Sequence, residues 1–318
     1  MPRRWLRGGH VQTVASFLLP RRFNLPVPEE RFIEVASGIQ VLCHCHWQPD
    51  RTKPLTIIVV HGLEGSSESQ YALGVTGKAL AAGMNVIRYN QRNCGGTDAL
   101  APVLYHSGLS DDVAAVAREV IQRDGVSQLA LVGFSMGGNL VLKLAGEWGS
   151  LGPPEFRAVA ACCPSMDLAA SADALHEPAN RLYELYFMFN LRRRMIRKAG
   201  LFPGHFDVGR MRGMRSLREF DDKITAYYCG FSGADDYYAR ASASNVVDKI
   251  TVPTLIVHAT NDPFIRILRE TRRKIAANPN IAFVETKDGG HCAFLGSRNG
   301  SDDGFWAETQ MVNFLREI

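Results

Sequence analysis

The segment Leu129–Leu140 places one serine where it can act as a nucleophile. Its letters, LALVGFSMGGNL, predict an apolar strand that enters a G-x-S-x-G turn and leaves it as an apolar helix. Glycines on both sides allow a sharp strand-to-helix turn, which lifts the hydroxyl of Ser135 clear of the sheet. The small residues Gly137 and Gly138 allow the helix to pack closely on the strand. We therefore predict that Ser135 is the nucleophile of an acyl-transfer reaction.

A serine hydroxyl needs a general base and a group that orients this base. His291 lies in a glycine-containing loop after the last strand-like run, and Asp262 follows the run before it. We predict that Asp262 holds the imidazole of His291 in the correct tautomer and stabilises the imidazolium. Asp167 also follows a strand-like run and stays open as an alternative acid. His258 lies inside an apolar strand, and we interpret it as a core histidine with its hydrogen bonds satisfied.

The tetrahedral intermediate needs two backbone N–H donors that point at its oxyanion. One is expected from Met136, the residue after the nucleophile, and the other from the loop after the third strand. This loop begins at His61 and contains Gly62 and Gly65, which allow the chain to turn its amides inward. We predict Leu63 as the second donor. We interpret His61 as a residue that braces the loop rather than as a second base.

Strand-like and helical runs alternate along most of the chain, which is typical of a mostly parallel sheet with helices on both faces. The first two strands are joined by Ser37-Gly38, so we predict an antiparallel hairpin there. Eight strands are predicted at 31–36, 39–47, 55–60, 85–90, 129–134, 158–163, 253–259 and 281–286. Helices are predicted at 71–82, 110–123, 139–148, 265–277 and 305–316.

The alternation stops for nearly eighty residues after Asp167. A break of that length is better explained by an inserted cap than by a loop. We predict a core of residues 1–166 and 246–318 and a mainly helical cap or lid of residues 167–245. Within it, an apolar helix runs into the basic residues Arg192, Arg193, Arg194, Arg197 and Lys198.

Two interpretations of this basic end stay open. In the first, an acyl-binding lid places its basic end on anionic headgroups or a membrane surface. In the second, an ordinary cap helix is buried on the core and its basic end is solvated. We favour this second interpretation over membrane binding. Weak peripheral membrane contact therefore remains an open prediction, while some aromatic residues of the cap are expected to line the pocket under either interpretation.

Composition narrows the class of protein. The 318 residues are 46% apolar and 21% charged, as in ordinary soluble enzymes, and they can bury a substantial core. The net charge of +4 argues against a nucleic-acid partner. No apolar run reaches the roughly 18 residues of a membrane span. Seven cysteines without zinc-type pairs favour a reduced, cytoplasmic location. The oligomeric state is not predicted.

The run Cys43-His44-Cys45-His46 alternates two types of metal ligand. On a strand the two histidines share one face and the two cysteines the other, so at most two can converge on one ion. We interpret the run as a structural strand. The predicted chemistry requires no metal and no organic cofactor.

Together these elements resemble the YheT-like branch of the α/β-hydrolase esterases. This family includes abhydrolase-domain proteins one and three and the yeast medium-chain ethyl ester synthase/esterases. Two positions depart from the family pattern: Asn93 stands where glycine is usual and Tyr227 where proline is usual, which affects cap geometry and substrate rather than chemistry. The matching segments include Arg7–Thr13, His61–Gly65, Tyr89–Gly96, Leu104–Gly108 and Phe220–Ala226.

The resemblance implies an α/β-hydrolase fold with an eight-stranded sheet and an inserted cap. It also implies a serine carboxylester hydrolase that acts on short- to medium-chain acyl esters, including lipid esters. An acyltransferase or ester synthase that resolves the same acyl-enzyme with an alcohol stays open as an alternative. A receptor or interaction protein on the same scaffold is disfavoured because every catalytic position is filled.

Overall fold

A computed structural model of the chain describes residues 6–298 and 303–318 and contains one eight-stranded sheet of order β1-β2-β4-β3-β5-β6-β7-β8. β1 and β2 form the predicted antiparallel hairpin, β2 also pairs antiparallel with β4, and the remaining neighbours are parallel. The strands are β1 Glu29–Ala36, β2 Ile39–His46, β3 Thr56–Val60, β4 Asn85–Tyr89, β5 Leu129–Phe134, β6 Phe156–Cys162, β7 Thr254–Ala259 and β8 Ile281–Thr286. The predicted eight-stranded, mostly parallel sheet is therefore confirmed.

The central strands are buried on both faces. Every residue of β3, β4, β5 and β7 is buried, which explains why their sequences are almost continuously apolar. The edge strand β1 instead alternates between buried and exposed positions over its middle, because only one of its faces is covered.

Helices cover both faces of the sheet. One apolar layer is formed with α3 and α4, and the other with α2 and α11. The helices are α1 Gly9–Leu18, α2 Gln70–Ala81, α3 Ser110–Asp124, α4 Met136–Trp148, α5 Leu168–Leu175, α6 Arg181–Leu201, α7 Leu217–Phe220, α8 Tyr227–Cys229, α9 Ala234–Ala241, α10 Arg269–Ala277 and α11 Trp306–Arg316. Among the described residues, no helix is both long enough and apolar enough to cross a bilayer.

The helix predicted from residue 265 begins only at Arg269. The N–H groups of Phe264 and Ile265 donate to the carboxylate of Asp262, and that of Leu268 donates to Asp167. The backbone before α10 is thus shaped by two buried carboxylates rather than by helical hydrogen bonds, which explains the shorter helix.

The chain between β6 and β7 is helical and includes α5 to α9, with a π-helical turn at Asp221–Ala226. Met188, Leu191 and Met195 of α6 pack in an apolar cluster with Phe220 and other side chains. This cluster also contains Leu104 of the loop after β4, so α6 is packed on the part of the chain that carries the sheet.

The interpretation of a solvated basic end on α6 is wrong for two residues. Arg193 and Arg197 are exposed, whereas Arg194 and Lys198 are buried. Arg194 and Lys198 follow Leu191 at helical spacing, so they lie on the face of α6 that packs inward. Lys198 is fully buried and donates to Asn93 Oδ1 at 2.9 Å and to backbone carbonyl groups.

Candidate active site

Ser135 sits at a strained turn between β5 and α4. Its φ of 54° and ψ of −118° lie in a region that residues other than glycine rarely adopt. Its N–H donates to the carbonyl oxygen of Cys162 in the neighbouring strand at 2.9 Å. A Cβ at Gly137 would overlap the carbonyl oxygen of Val60, so the approach of α4 to the sheet requires glycine there. The predicted nucleophile therefore occupies the sharp strand-to-helix turn that its sequence indicates.

Asp262 and His291 are in direct contact. Nδ1 of His291 lies 2.8 Å from Oδ2 of Asp262, and Oδ1 of Asp262 accepts N–H groups of Phe264 and Ile265 at 3.1 and 2.9 Å. Burial alone would raise the pKa of Asp262, but His291 and the N–H of Ile265 hold this pKa below its usual value. Burial of the imidazole lowers the pKa of His291, but the carboxylate outweighs this effect and raises it above 6.5.

The alternative acid, Asp167, is engaged elsewhere. Its carboxylate accepts the N–H of Leu268 at 2.9 Å and the hydroxyl of Thr271 at 2.8 Å. The structure thus places Asp262, not Asp167, beside His291. His258 is buried in β7 as expected, but its Nδ1 has no hydrogen-bond partner among the described residues, so the expectation of a satisfied ring is wrong.

Of Ser135 and His291, only Ser135 lines the cavity, and no hydrogen bond joins the two side chains in the described part of the chain. His291 Nε2 lies 3.9 Å from the sulfur of Cys292. Phe264, whose ring centroid lies 4.4 Å from that of His291, lines the cavity together with Ser135. Nucleophile–base hydrogen bonds often close only when substrate binds, so this geometry is compatible with a triad.

The two predicted oxyanion donors also lie at this cavity. Leu63 and Met136 both line it, and within the described residues their backbone N–H groups donate no hydrogen bond. Free N–H groups beside a serine at a strained turn can stabilise a developing oxyanion. The loop that carries Leu63 is fixed on either side, because Gly62 N–H donates to Tyr71 at 2.9 Å and Glu64 N–H donates to Tyr105 at 3.1 Å.

His61 contacts the backbone of the same loop. Its Nδ1 lies 2.8 Å from the carbonyl oxygen of Gly62, and its Nε2 accepts the N–H of Gln91 at 3.2 Å. Burial lowers the pKa of His61 to about 4, so the ring is neutral at physiological pH. These contacts agree with the interpretation of His61 as a loop brace.

An ion pair ties the oxyanion loop to α6. Nε of Arg194 lies 2.9 Å from Oε1 of Glu64, and both side chains are buried. The guanidinium also donates to the backbone carbonyl oxygen of Asn93. Asn93 adopts a φ of 65°, which glycine accepts most readily and asparagine tolerates. This explains how asparagine can stand at a position where glycine is usual.

The cavity wall has an apolar part and a polar part. In the polar part, Asp221 accepts the hydroxyl groups of Tyr238 at 2.7 Å and Thr225 at 2.8 Å. Burial raises the pKa of Asp221 to about 6, although these two hydrogen bonds oppose the shift. The apolar part includes Leu63, Leu104, Leu191, Met195, Leu217 and Phe220.

Helix α1 supports the loop of His291 from far away in the sequence. The hydroxyl oxygen of Thr13 accepts the N–H of His291 at 2.8 Å. A Cβ on Gly290, which has a φ of 58°, would lie 2.5 Å from the carbonyl oxygen of Gly9, so the two segments pack backbone to backbone. Sequence reasoning assigned no role to Thr13. The family-like segment Arg7–Thr13 was the signal that could have identified it.

A family model described as the alpha/beta hydrolase fold matches residues 56–297. The chain belongs to the α/β-hydrolase family. It is 32% identical to the esterase YheT of Escherichia coli over 99% of this chain and 92% of that protein. It is 31% identical to mouse phospholipase ABHD3, and this match covers 77% of this chain but only 59% of that relative's length. Est1E from Butyrivibrio proteoclasticus shares the fold, with a TM-score of 0.55 and 18% identity over 91% of this chain and 98% of its own.

Membership in the α/β-hydrolase family confirms the family resemblance and the fold class that the sequence predicts. It also confirms the predicted enzyme class, a carboxylic ester hydrolase. The division into core and cap and the roles of the individual site residues stay predictions.

Proposed function

We propose that this hydrolase cleaves acyl esters through a covalent acyl-enzyme on Ser135. The Ser135 oxygen attacks the ester carbonyl while Nε2 of His291 takes its proton. His291 then returns the proton to the leaving alcohol as the bond between carbonyl carbon and alkoxy oxygen breaks. Water attacks the acyl-enzyme by the same route, and the free acid and the serine hydroxyl are released. Asp262 stabilises the imidazolium, and the N–H groups of Leu63 and Met136 hold the oxyanion.

The contact of His291 with Asp262 is the observation that carries this proposal. A carboxylate 2.8 Å from Nδ1 keeps the proton on that nitrogen and leaves Nε2 free to accept one. Nothing in the reaction as written requires a metal or organic cofactor.

The substrate we propose is a short- to medium-chain acyl ester, including lipid esters. We propose that residues 167–245 act as the cap of the cavity, with Leu191 and Met195 of α6 beside the acyl chain. Apolar side chains favour the hydrocarbon part of an ester, whereas Asp221 offers a polar partner to the rest of the molecule. The relative named as a phospholipase supports this choice.

We also propose weak contact with a lipid surface. Apolar side chains, rather than the basic end of α6, make this contact. The rings of Phe17 and Tyr186 lie 6.0 Å apart and join α1 to α6. We assign these two rings to one apolar face together with the other exposed apolar side chains of the two helices, which are Val11, Val14 and Leu18 of α1 and Leu182, Leu185 and Phe189 of α6. Large exposed apolar patches commonly mark membrane or protein contacts.

Sedimentation with anionic vesicles tests this contact. The double variant Phe17→Ser/Phe189→Ser is expected to lose binding, whereas Leu151→Ser, which changes an exposed apolar residue in the turn after α4 rather than in α1 or α6, is expected to keep it. Wild-type protein that stays in the supernatant at low salt contradicts the contact. A cytoplasmic location, inferred from cysteine usage, completes the proposal.

Hydrolysis of a p-nitrophenyl ester series from acetate to palmitate tests the proposed activity. Turnover should peak at short or medium chains, and Ser135→Ala should abolish it. Ser165→Ala is the matched control, because Ser165 lines the same cavity but is not at the strained turn. Activity that survives Ser135→Ala, or none at any chain length, contradicts the proposal.

A further inference from the structure

Three cysteines meet directly behind the proposed catalytic groups. The sulfur atoms of Cys162, Cys163 and Cys292 all lie within 4.8 Å of one another, and all three side chains are free thiols. Cys162 ends β6, and its carbonyl oxygen accepts the N–H of Ser135. Cys292 follows His291 directly in the chain. The mechanism proposed above uses none of these thiols.

The local backbone converges on this cysteine cluster. Cys163 and Cys292 both adopt positive φ values, 44° and 56°. The N–H of Cys292 points at the sulfur of Cys163 at 3.4 Å, and the thiol of Cys292 points at the carbonyl oxygen of Cys162 at 3.5 Å. Two separate loops are therefore held so that their thiols face one another.

From this geometry we propose that Cys162, Cys163 and Cys292 form a binding site for a thiophilic divalent cation such as Zn²⁺ or Cd²⁺, with Nε2 of His291 as the fourth ligand. A tetrahedral zinc ion about 2.3 Å from each sulfur brings its ligand atoms within roughly 4 Å of one another. Nε2 of His291 lies 3.9 Å from Cys292 Sγ but is not within 4.8 Å of all three sulfur atoms, so the imidazole has to move toward the ion to become its fourth ligand. Three cysteines and one histidine are an established zinc ligand set.

A second group of ligand types overlaps the cluster. The sulfur of Cys163 also lies within 4.8 Å of ligand atoms of His258 and Asp262. Asp262 is already engaged by His291 and by two backbone N–H groups, so this group offers fewer free ligands than the cysteine cluster.

Cation binding at the cluster would inhibit ester hydrolysis. Each coordinating thiol loses its proton to solvent, and the imidazole uses the lone pair of Nε2 for the metal. That lone pair is the one that would accept the proton of Ser135. This inhibitory effect rests on the proposed function, whereas cation binding itself does not.

Titration of the full-length protein with Cd²⁺ tests the site without substrate. Wild type should develop the ultraviolet charge-transfer absorption of Cd²⁺ bound to thiolates. Cys292→Ser and, as a second variant, Cys292→Ala should weaken Cd²⁺ binding by at least about tenfold. Cys229→Ser is the matched control, because Cys229 is also partly exposed but lies in α8, outside the cluster. No absorption in wild type, or equal binding by the Cys292 variants, overturns the site.

Hydrolysis of a p-nitrophenyl ester with and without Zn²⁺ tests the inhibition. On addition of Zn²⁺, the hydrolysis rates of wild type and Cys229→Ser should fall at least about tenfold and recover with EDTA. The Cys292 variants should keep a larger fraction of the rate that each shows without metal. Cd²⁺ absorption together with an unchanged hydrolysis rate overturns the assignment of His291 as a ligand. A protein that binds Cd²⁺ as described but hydrolyses no ester contradicts the proposed function and leaves the cation site supported.

Discussion

His291 Nδ1 lies 2.8 Å from Oδ2 of Asp262, and Oδ1 of the same carboxylate is held by two backbone N–H groups. The carboxylate is therefore fixed before substrate arrives, and it fixes the imidazole in turn. Preorganisation of this kind lowers the cost of forming an imidazolium during proton transfer.

Replacing Asp262 with asparagine should lower kcat by about 10⁴-fold, because the amide no longer holds the productive tautomer of His291. The experiment is steady-state kinetics on a medium-chain p-nitrophenyl ester. Asp167→Asn is the control, since Asp167 follows a neighbouring strand but contacts α10 and not His291. A loss at Asp167 equal to that at Asp262 would argue against the assignment.

The same pair predicts the pH dependence of kcat/KM. His291 must be neutral to act as a base, and the Asp262 carboxylate raises its pKa despite burial. Activity should therefore rise with pH, with a midpoint above the ordinary histidine value of about 6.5. In Asp262→Asn the residual activity should titrate at lower pH. A midpoint that does not move would show that Asp262 does not control the base.

Loss of Arg194 should impair both stability and activity. Arg194→Met leaves the buried carboxylate of Glu64 without its ion-pair partner, which is expected to reduce the free energy of unfolding by about 3–5 kcal/mol. Because Glu64 follows Leu63, displacement of the loop should also lower kcat. Arg193→Met changes an exposed residue of the same helix and should do neither. Urea unfolding and ester kinetics on both variants check this, and equal behaviour contradicts it.

A larger side chain in the apolar wall should shorten the preferred acyl chain. Met195→Trp adds volume to a buried position at the cavity, whereas Ile196→Trp adds the same group at an exposed position of α6. Profiling the p-nitrophenyl ester series should show a shift of the optimum toward shorter chains for Met195→Trp only. An unchanged optimum would mean that the acyl chain lies elsewhere.

Glycine at position 137 should be essential for close packing of α4. A Cβ there would overlap the carbonyl oxygens of Val60 and His61, so Gly137→Ala should cost about 3 kcal/mol of unfolding free energy. Gly200→Ala has no atom within 4 Å of the new Cβ and lies in α6, so it should stabilise by roughly 0.5–1 kcal/mol. Denaturant unfolding of both variants measures the difference, and a neutral Gly137→Ala would contradict the packing argument.

The features predicted well are those that depend on local sequence pattern. The turn at Ser135 could be predicted because its strand, glycines and helix are contiguous. The contact between Asp262 and His291 could be predicted because parallel strands bring their carboxyl ends to one edge of the sheet. The strand ends were located to within two residues, and the central parallel strands could be found because they are almost continuously apolar.

The features missed depend on partners far away in the chain. Thr13 accepts the N–H of His291 although the two residues are 278 positions apart, and no local sequence pattern predicts such a contact. The inward direction of Arg194 and Lys198 depends on acceptors at Glu64 and Asn93, in loops after other strands.

The most direct test of the central claim is covalent labelling with a fluorophosphonate, located by peptide mass spectrometry. We expect one adduct on Ser135, which is absent in Ser135→Ala and forms much more slowly in His291→Ala, which lacks the base. Total activity should be lost at the same rate as the adduct forms. An adduct on another residue, or loss of activity without an adduct on Ser135, would contradict the assignment of Ser135 as the nucleophile.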